Sequence, residues 1–244
     1  MNCTVIAGTR GLGAAIVRTY AENGWNVHVV GRNKLAFDKL KQSLQLVGEK
    51  QEIKFTQIDL DLPSSPFLVY DSIRLTGRID CIVYNYGGTV QTRRVGPDLT
   101  DWLKCLWKNV LFSAQLNALT CQDESIRTKL RRIIHISSAS GRHLMGSQLY
   151  STAKALLNSY VRTNGRLLAK EGIVQMAIAP GALDTTDGPW KYKPVTVRDD
   201  FLGHYQFCGF LGSEDTVAKL VYCLSGPAGD FCHGNIIECD GGSL

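Results

Sequence analysis

No apolar run in this 244-residue chain is long enough to cross a bilayer, and no stretch of Lys and Arg is long enough to form a nucleic-acid arm. The eight cysteines form no C-x-x-C pair, and none stands at zinc-ligand spacing from a histidine. Repeats, low-complexity tracts and linkers are missing as well, and no basic n-region with an apolar h-region opens the chain. These absences argue against a membrane-spanning protein, a nucleic-acid-binding tail, a Cys/His metal module and a secreted protein. The expectation is a soluble cytoplasmic protein. Most of its cysteines sit in apolar runs (Cys3, Cys81, Cys223) and are read as reduced core thiols.

What is present is ordinary in bulk. Hydrophobic residues make up 44% and charged residues 20%, as in globular proteins generally. The length allows one domain with a sizeable core. A formal charge of +5 is mild and compatible with an anionic small ligand.

Strand and helix patterns alternate along the chain. Residues 3–7 (CTVIA) form a continuous apolar run, as in a parallel strand covered on both faces. GTRGLG follows at 8–13 and opens an amphipathic helix that stops at Gly24; residues 26–31 (NVHVVG) form a second strand. Glycines between a strand and a helix let backbone N–H groups approach a pyrophosphate. The pattern continues with a helix at 34–47, a strand at 52–58, a helix at 63–76 and a strand at 79–84. A long helix at 101–122, a strand at 132–136, a helix at 149–170 and strands at 173–179 and 235–239 complete it. This alternation predicts an α/β fold: a doubly wound, mostly parallel seven-stranded sheet of Rossmann type, in a single domain over 1–244. The aperiodic stretch at about 181–210, with a short helix near 199–207, is expected to be a substrate loop.

The chemistry concentrates at residues 137–154, SSASGRHLMGSQLYSTAK. Tyr150 and Lys154 stand four apart at a helix start, which stacks them on one face. A free phenol titrates near 10. A nearby ammonium favours phenolate, so Lys154 is expected to pull Tyr150 down toward the range where general acid–base catalysis is efficient. A serine from the preceding strand end would hold a substrate oxygen beside the phenol.

With these motifs in place the chain resembles the short-chain dehydrogenase/reductase family, single-domain type, from Cys3 to Gly242. Five marks carry the resemblance: the glycine turn, Asp59 after the third strand, Asn85-Tyr86-Gly87 after the fourth, Ser-Tyr-x-x-x-Lys, and Pro180-Gly181 followed by Thr185. The resemblance implies that Tyr150 protonates a carbonyl oxygen and that Lys154 assists it and binds the nicotinamide ribose. It further implies that Ser138 holds the substrate oxygen and that Asn109 holds a water linking Lys154 to solvent. Gly8, Thr9, Arg10, Gly11, Leu12 and Gly13 would cradle the cofactor phosphates, with Asp59 and Leu60 at the adenine. Asn85, Tyr86 and Gly87 would lie beside the cofactor, and Pro180, Gly181 and Thr185 at the carboxamide.

Some positions depart from the family pattern. Matching Gly11 and Gly13 puts Ala7 in the first glycine's place; Ala7 is expected to keep an ordinary conformation while Gly8 takes the strain. Tyr86 is bulkier than the alanine usual there. The usual offset from Tyr150 falls on Ser137, whereas the SS-x-x-G pattern favours Ser138, which is preferred. Phe210 replaces a common arginine.

The second strand ends in Gly31-Arg32-Asn33 with no acidic residue for a ribose hydroxyl. With Arg10 in the glycine turn, two guanidiniums suit a 2′-phosphate, so NADP (NADPH) is the expected cofactor. His135 is read as a satisfied core histidine, and Arg142 and His143 as candidates for the substrate cleft. Asp184-Thr185-Thr186-Asp187 is not spaced as a metal site, and no metal is expected. Trp190, Lys191, Tyr192 and Lys193 suggest a polar or anionic substrate such as a sugar derivative.

The resulting expectation is an NADP(H)-dependent oxidoreductase interconverting a ketone and a secondary alcohol. Alternatives are a 3-oxoacyl-thioester reductase or a non-catalytic dinucleotide-binding regulator. A small-molecule carbonyl or alcohol is the expected partner, with no nucleic acid and no membrane. The family resemblance implies a homodimer or homotetramer. No tail beyond Gly242 is expected to serve as a separate partner-binding element.

Overall fold

The computed structural model describes residues 1–46, 51–90, 96–144, 146–185, 188 and 190–243. Val47, Thr186 and Asp187, to which the sequence assigned places, lie outside the described residues.

The elements run β1 (Asn2–Ile6), α1 (Gly11–Glu22), β2 (Asn26–Gly31), α2 (Lys34–Leu46), β3 (Ile53–Gln57), α3 (Ser65–Thr76) and β4 (Cys81–Tyr84). Next come α4 (Leu99–Leu106), a π-helical turn (Trp107–Leu111), α5 (Phe112–Gln122), α6 (Glu124–Arg127), β5 (Arg132–Ile136), α7 (Ser140–His143) and α8 (Gln148–Ala169). The chain ends with β6 (Val174–Pro180), β7 (Leu183–Asp184), α9 (Val195–His204), β8 (Gly212–Ser213), α10 (Glu214–Ser225), a 3-10 turn (Pro227–Gly229) and β9 (Ile236–Cys239).

Seven strands form one sheet in the order β3-β2-β1-β4-β5-β6-β9, and every neighbouring pair is parallel. Alternation along the strands feeds two cores. Val5, Val29, Val83 and Met176 face the layer of α1, α2 and α10. Ile6, Val30, Ile82 and Ile133 face the layer of α3 and α5, and Ala177 meets Leu157 and Val161 of α8. Burial on both faces explains why these strands read as unbroken apolar runs. The strand order reverses between β1 and β4, so a crevice opens beyond their carboxyl ends, where ligands bind in such sheets.

Four local features differ from expectation. The helix expected at 101–122 starts at Leu99, where Asp98 and Asp101 form a capping box, and a π turn interrupts it. Helix α10 carried sequence signals that were not used: Ser213 caps it, Glu214 and Asp215 fill the first turn, and Val217, Ala218, Val221 and Leu224 recur at helical spacing. The 181–210 stretch returns to the body through a two-stranded ladder of β7 and β8. Cys223, read as a core thiol, is exposed, because it falls on the outward face of α10 between Val221 and Leu224.

Candidate active site

At the end of β1 the chain turns sharply, and the expectation for Ala7 is overturned: it stands at φ +62°, a left-handed conformation that Gly8 does not share. Both of its backbone groups are tied. Its N–H donates to the Val30 carbonyl at 2.8 Å, and its carbonyl accepts from Asn85 Nδ2 at 3.0 Å. Gly8 is required for packing instead, since a Cβ there would meet methyls of Val5, Val17 and Val29 at 3.0 Å. Gly11 does take a positive φ, +52°. At Gly13 a Cβ would lie 2.3 Å from the Ala7 oxygen, so the first turn of α1 can press against the end of β1 only without a side chain. Leu12 anchors the same turn in the core.

Beside this turn lies a cavity of about 360 Å³ lined by Ala7, Thr9, Arg10, Arg32, Asn33, Asp59, Leu60, Asp61, Tyr86, Gly87 and Lys108 among others. It brings together Thr9, Arg10, Arg32, Asn33, Asp59, Leu60, Tyr86 and Gly87 of the residues assigned to the cofactor. Asn33 also caps α2, its Oδ1 accepting from the Ala36 N–H at 2.8 Å. The Leu60 carbonyl accepts from Trp107 Nε1 at 3.0 Å, which ties β3's exit to the π turn. Asp61 was missed by the sequence reasoning. It accepts from the Tyr86 hydroxyl at 2.5 Å and pairs with Arg32 at 3.5 Å and Lys108 at 3.6 Å. Burial works to raise its carboxyl, but Tyr86, Lys108 and Arg32 together hold it below the usual value. Burial and Asp61 push the Tyr86 phenol up.

The second constellation forms where α8 crosses the end of β5. Ser147 caps α8 by accepting from the Tyr150 N–H at 3.3 Å. Lys154, one turn on, is 3% exposed and donates to the Ile136 carbonyl at 2.8 Å. Its Nζ lies 5.6 Å from the centroid of the Tyr150 ring. Burial lowers the Lys154 pKa to about 8, with the Cys105 thiol opposing. The expectation that Lys154 depresses Tyr150 fails in this state. Burial raises the Tyr150 phenol; its hydrogen bond with Ser138 works against that rise, and Cys105 adds to it. The physical reason is that both groups are withdrawn from water, and burial disfavours the charged form of each.

Ser138 therefore sits with Tyr150, and its Oγ also accepts from the Ser140 N–H at 3.1 Å. Ser137 points elsewhere: it is buried and donates to Asn158 Oδ1 at 2.5 Å, fastening β5 to α8. Asn109, in the π turn, spends its side chain on backbone. Its Oδ1 accepts from the Gly88 N–H at 3.0 Å, and its Nδ2 donates to the Gly88 and Cys105 carbonyls at 2.9 Å each. A Cβ at Gly87 would stand 2.9 Å from Asn109 Oδ1 and 3.1 Å from Lys154 Nζ, so glycine lets β4's exit pack closely against both. Cys105, unnoticed in the sequence, lies behind this cluster with its Sγ 3.5 Å from Asn109 Nδ2.

A cavity of about 430 Å³ opens over Tyr150 and Ser138, lined also by His143, Pro180, Gly181, Ala182, Trp190 and Phe201. Gly181 fits because a Cβ there would come within 2.7 Å of the Asp240 carbonyl oxygen. Thr185 is half-buried just past β7 and lines neither this cavity nor the first. His143 lines the cavity with its Nε2 3.7 Å from Asp240 Oδ2, whereas Arg142 pairs with Glu238 outside it. Lys191, Tyr192 and Lys193 are exposed and line neither cavity; Phe210 is exposed too. His135 is buried against Tyr84, with ring centroids 4.8 Å apart. Burial and the Lys154 charge lower its pKa to about 3, but its Nε2 has no hydrogen-bond partner, so it is a neutral core histidine only partly satisfied.

A family model described as short chain dehydrogenase matches residues 2–192. An uncharacterised oxidoreductase of Mycobacterium tuberculosis is 28% identical over 243 residues, covering 98% of this chain and 90% of that protein. A 3-oxoacyl-[acyl-carrier-protein] reductase of Aquifex aeolicus is 26% identical over 247 residues, covering 98% and 95%. Among solved structures, a 3-oxoacyl (acyl-carrier-protein) reductase from Agrobacterium tumefaciens with NADP bound superposes with a TM-score of 0.89 at 18% identity, covering 99% of this chain and 93% of that one. At that identity the likeness speaks to the fold.

Proposed function

Because the chain belongs to the short chain dehydrogenase family, we propose that it is an NADPH-dependent reductase converting a ketone to a secondary alcohol. One observation carries this reading: Tyr150 and Ser138 share the wall of one cavity, hydrogen-bonded to each other, with the buried Lys154 one helical turn behind.

The residues fit a phosphorylated dinucleotide. Gly13 and Gly87 leave room where a side chain would collide with backbone or with Asn109, and Arg10 and Arg32 line the adjoining cavity with no acid at the end of β2. A bound reduced nicotinamide would supply hydride to the carbonyl carbon. Tyr150 gives its phenolic proton to the carbonyl oxygen, and Ser138 donates a hydrogen bond to that same oxygen. Lys154, with its pKa near 8, is the proton source that restores the phenol. Asn109 keeps Gly87 and Gly88 against this pair.

Electrostatics supports reduction as the direction. A phenol raised by burial stays protonated at neutral pH and is suited to act as an acid, which is the role that reduction needs. The runner-up, a 3-oxoacyl-thioester reductase, is supported by the names of relatives such as the Aquifex enzyme. Assembly as a homodimer or homotetramer is part of the proposal, supported by the exposed Leu99, Leu103 and Leu111 along α4 and the π turn. A cytoplasmic location is supported by eight free thiols. The test is loss of the reduced-nicotinamide absorbance on adding a ketone panel; NADPH left unconsumed by every ketone, with every alcohol inert toward NADP, would refute the proposal.

A further inference from the structure

The lining of the cavity over Tyr150 is of two kinds. One is hydroxylic: Tyr150 and Ser138, where the reacting oxygen belongs, with Ser140 and Ser243 also in the lining. The other is apolar: Trp190 and Phe201 pack with ring centroids 4.2 Å apart at an interplanar angle of 44°, and Pro180 and Ala182 add to it. Tyr205 extends the aromatic run, its ring 5.9 Å from Phe201 and nearly parallel at 27°.

The charges are distributed to match. No Lys or Arg is among the described residues lining this cavity, although Lys191 and Lys193 stand close by in sequence and face solvent. The one basic group in the lining, His143, has its Nε2 3.7 Å from the Asp240 carboxylate, so any charge it carries is answered within the protein. Among the described residues an anionic substrate would find no Lys or Arg in this lining. A polyhydroxylated one would bury several hydroxyls against Trp190, Phe201, Pro180 and Ala182, and each buried without a partner loses its hydration for nothing.

From this asymmetry we infer that the substrate is an uncharged ketone whose carbonyl is attached to or fused with an aromatic ring, the ring lying against Trp190 and Phe201. The inference rests on the reductase reading above and narrows its substrate class. Ring faces gain from packing on aromatic side chains beyond simple area burial. A flexible acyl chain gains only the area term and loses rotational freedom on entering. Trp190 and Phe201, paired in the lining of this cavity, are then specificity-determining residues.

The test compares four probes with NADPH: 1-tetralone, D-fructose, acetoacetyl-CoA and 2-butanone. We expect kcat/KM for 1-tetralone to exceed those for fructose and acetoacetyl-CoA at least tenfold. Trp190→Leu and Phe201→Leu should each lower the ratio of 1-tetralone to 2-butanone efficiency about tenfold, through a higher KM for 1-tetralone. Fructose or acetoacetyl-CoA used as well as 1-tetralone overturns the inference and leaves the reductase reading standing. An unchanged tetralone-to-butanone ratio in both variants also overturns it. No turnover of 1-tetralone while another ketone of the panel is reduced overturns the inference alone; no turnover of any ketone or alcohol of the panel sinks the reductase reading and the inference together. Should both variants fail to fold, the wild-type ranking alone decides.

Discussion

The Lys154 ammonium stands 5.6 Å from the centroid of the Tyr150 ring and gives a hydrogen bond to the Ile136 carbonyl at 2.8 Å. The two side chains share one helical face, as their spacing requires, yet burial sets the titration of each. The phenol is raised and the amine lowered. In the proposed reaction the pair acts as a protonated acid backed by an amine that gives up its proton at about pH 8.

That pairing sets a pH profile. Tyr150 stays protonated across the neutral range, so ketone reduction should be level from about pH 6 to 7.5. It should then decline through about pH 8 as Lys154 loses its proton. In Lys154→Arg the guanidinium releases no proton there, so the rate should be lower at every pH and the decline at about pH 8 should disappear. A midpoint that stays near 8 in Lys154→Arg contradicts the assignment of that ionisation.

Burying the ammonium has a stability signature whose sign is fixed. Folding lowers the Lys154 pKa from 10.5 to about 8, so between those values the unfolded chain binds more protons and stability rises with pH. Below about pH 8 both states are protonated and the burial penalty is present in full. Wild type should gain roughly 1–2 kcal/mol relative to Lys154→Met between pH 7.5 and 9.5, measured by urea denaturation without cofactor. A pH-independent difference would show that the amine is not desolvated.

Ala7 occupies a left-handed conformation at φ +62°. An L-residue there costs about 1–2 kcal/mol, part of which glycine returns through its freer unfolded state. Ala7→Gly should therefore stabilise the protein by about 0.5–1 kcal/mol and raise Tm by about 1–4 °C. A lowered Tm would mean that the alanine methyl contributes packing worth more than the strain.

Arg32 is presented to the cofactor cavity while paired with Asp61 at 3.5 Å. Charge-assisted bonds to a 2′-phosphate contribute about 1.5–3 kcal/mol, so Arg32→Asp should cut the NADPH-over-NADH preference roughly ten- to hundredfold or more. Asp61→Asn keeps an acceptor for the Tyr86 hydroxyl and releases the guanidinium. An exposed ion pair contributes only about 0.2–1 kcal/mol, so this change should raise the preference about two- to fivefold. Initial rates with both cofactors decide the matter, and a preference indifferent to both substitutions places the 2′-phosphate elsewhere.

The sheet was legible in the sequence because strands buried on both faces leave unbroken apolar runs, and Val5, Val29, Val83 and Met176 are such positions. Ser138 and Tyr150 were legible because strand-end and helix-start residues keep their relation in any fold of this order. What the sequence hid were relations set by distance in space. Asp61 meets Tyr86 25 residues away, and Cys105 reaches Lys154 only through the packing of α4 on α8. Nor does spacing reveal burial, which decides that Tyr150 is raised. Ala7 was misjudged because its left-handed turn is imposed by partners on β2 and β4, Val30 and Asn85, neither local to it. Lys191 and Lys193, read from sequence as suiting a polar or anionic substrate, are exposed and line neither cavity; proximity to Trp190 in sequence does not say which side chain turns inward.

The most direct measurement of the central claim is turnover by Tyr150→Phe with NADPH binding followed in parallel by nicotinamide fluorescence. Removing one hydroxyl takes away the proton donor and leaves the ring, Lys154 and the cofactor cavity in place. The account predicts that kcat for ketone reduction falls by about 10²–10⁴ while the NADPH Kd changes less than threefold. A variant that reduces the ketone within tenfold of the wild-type rate contradicts it.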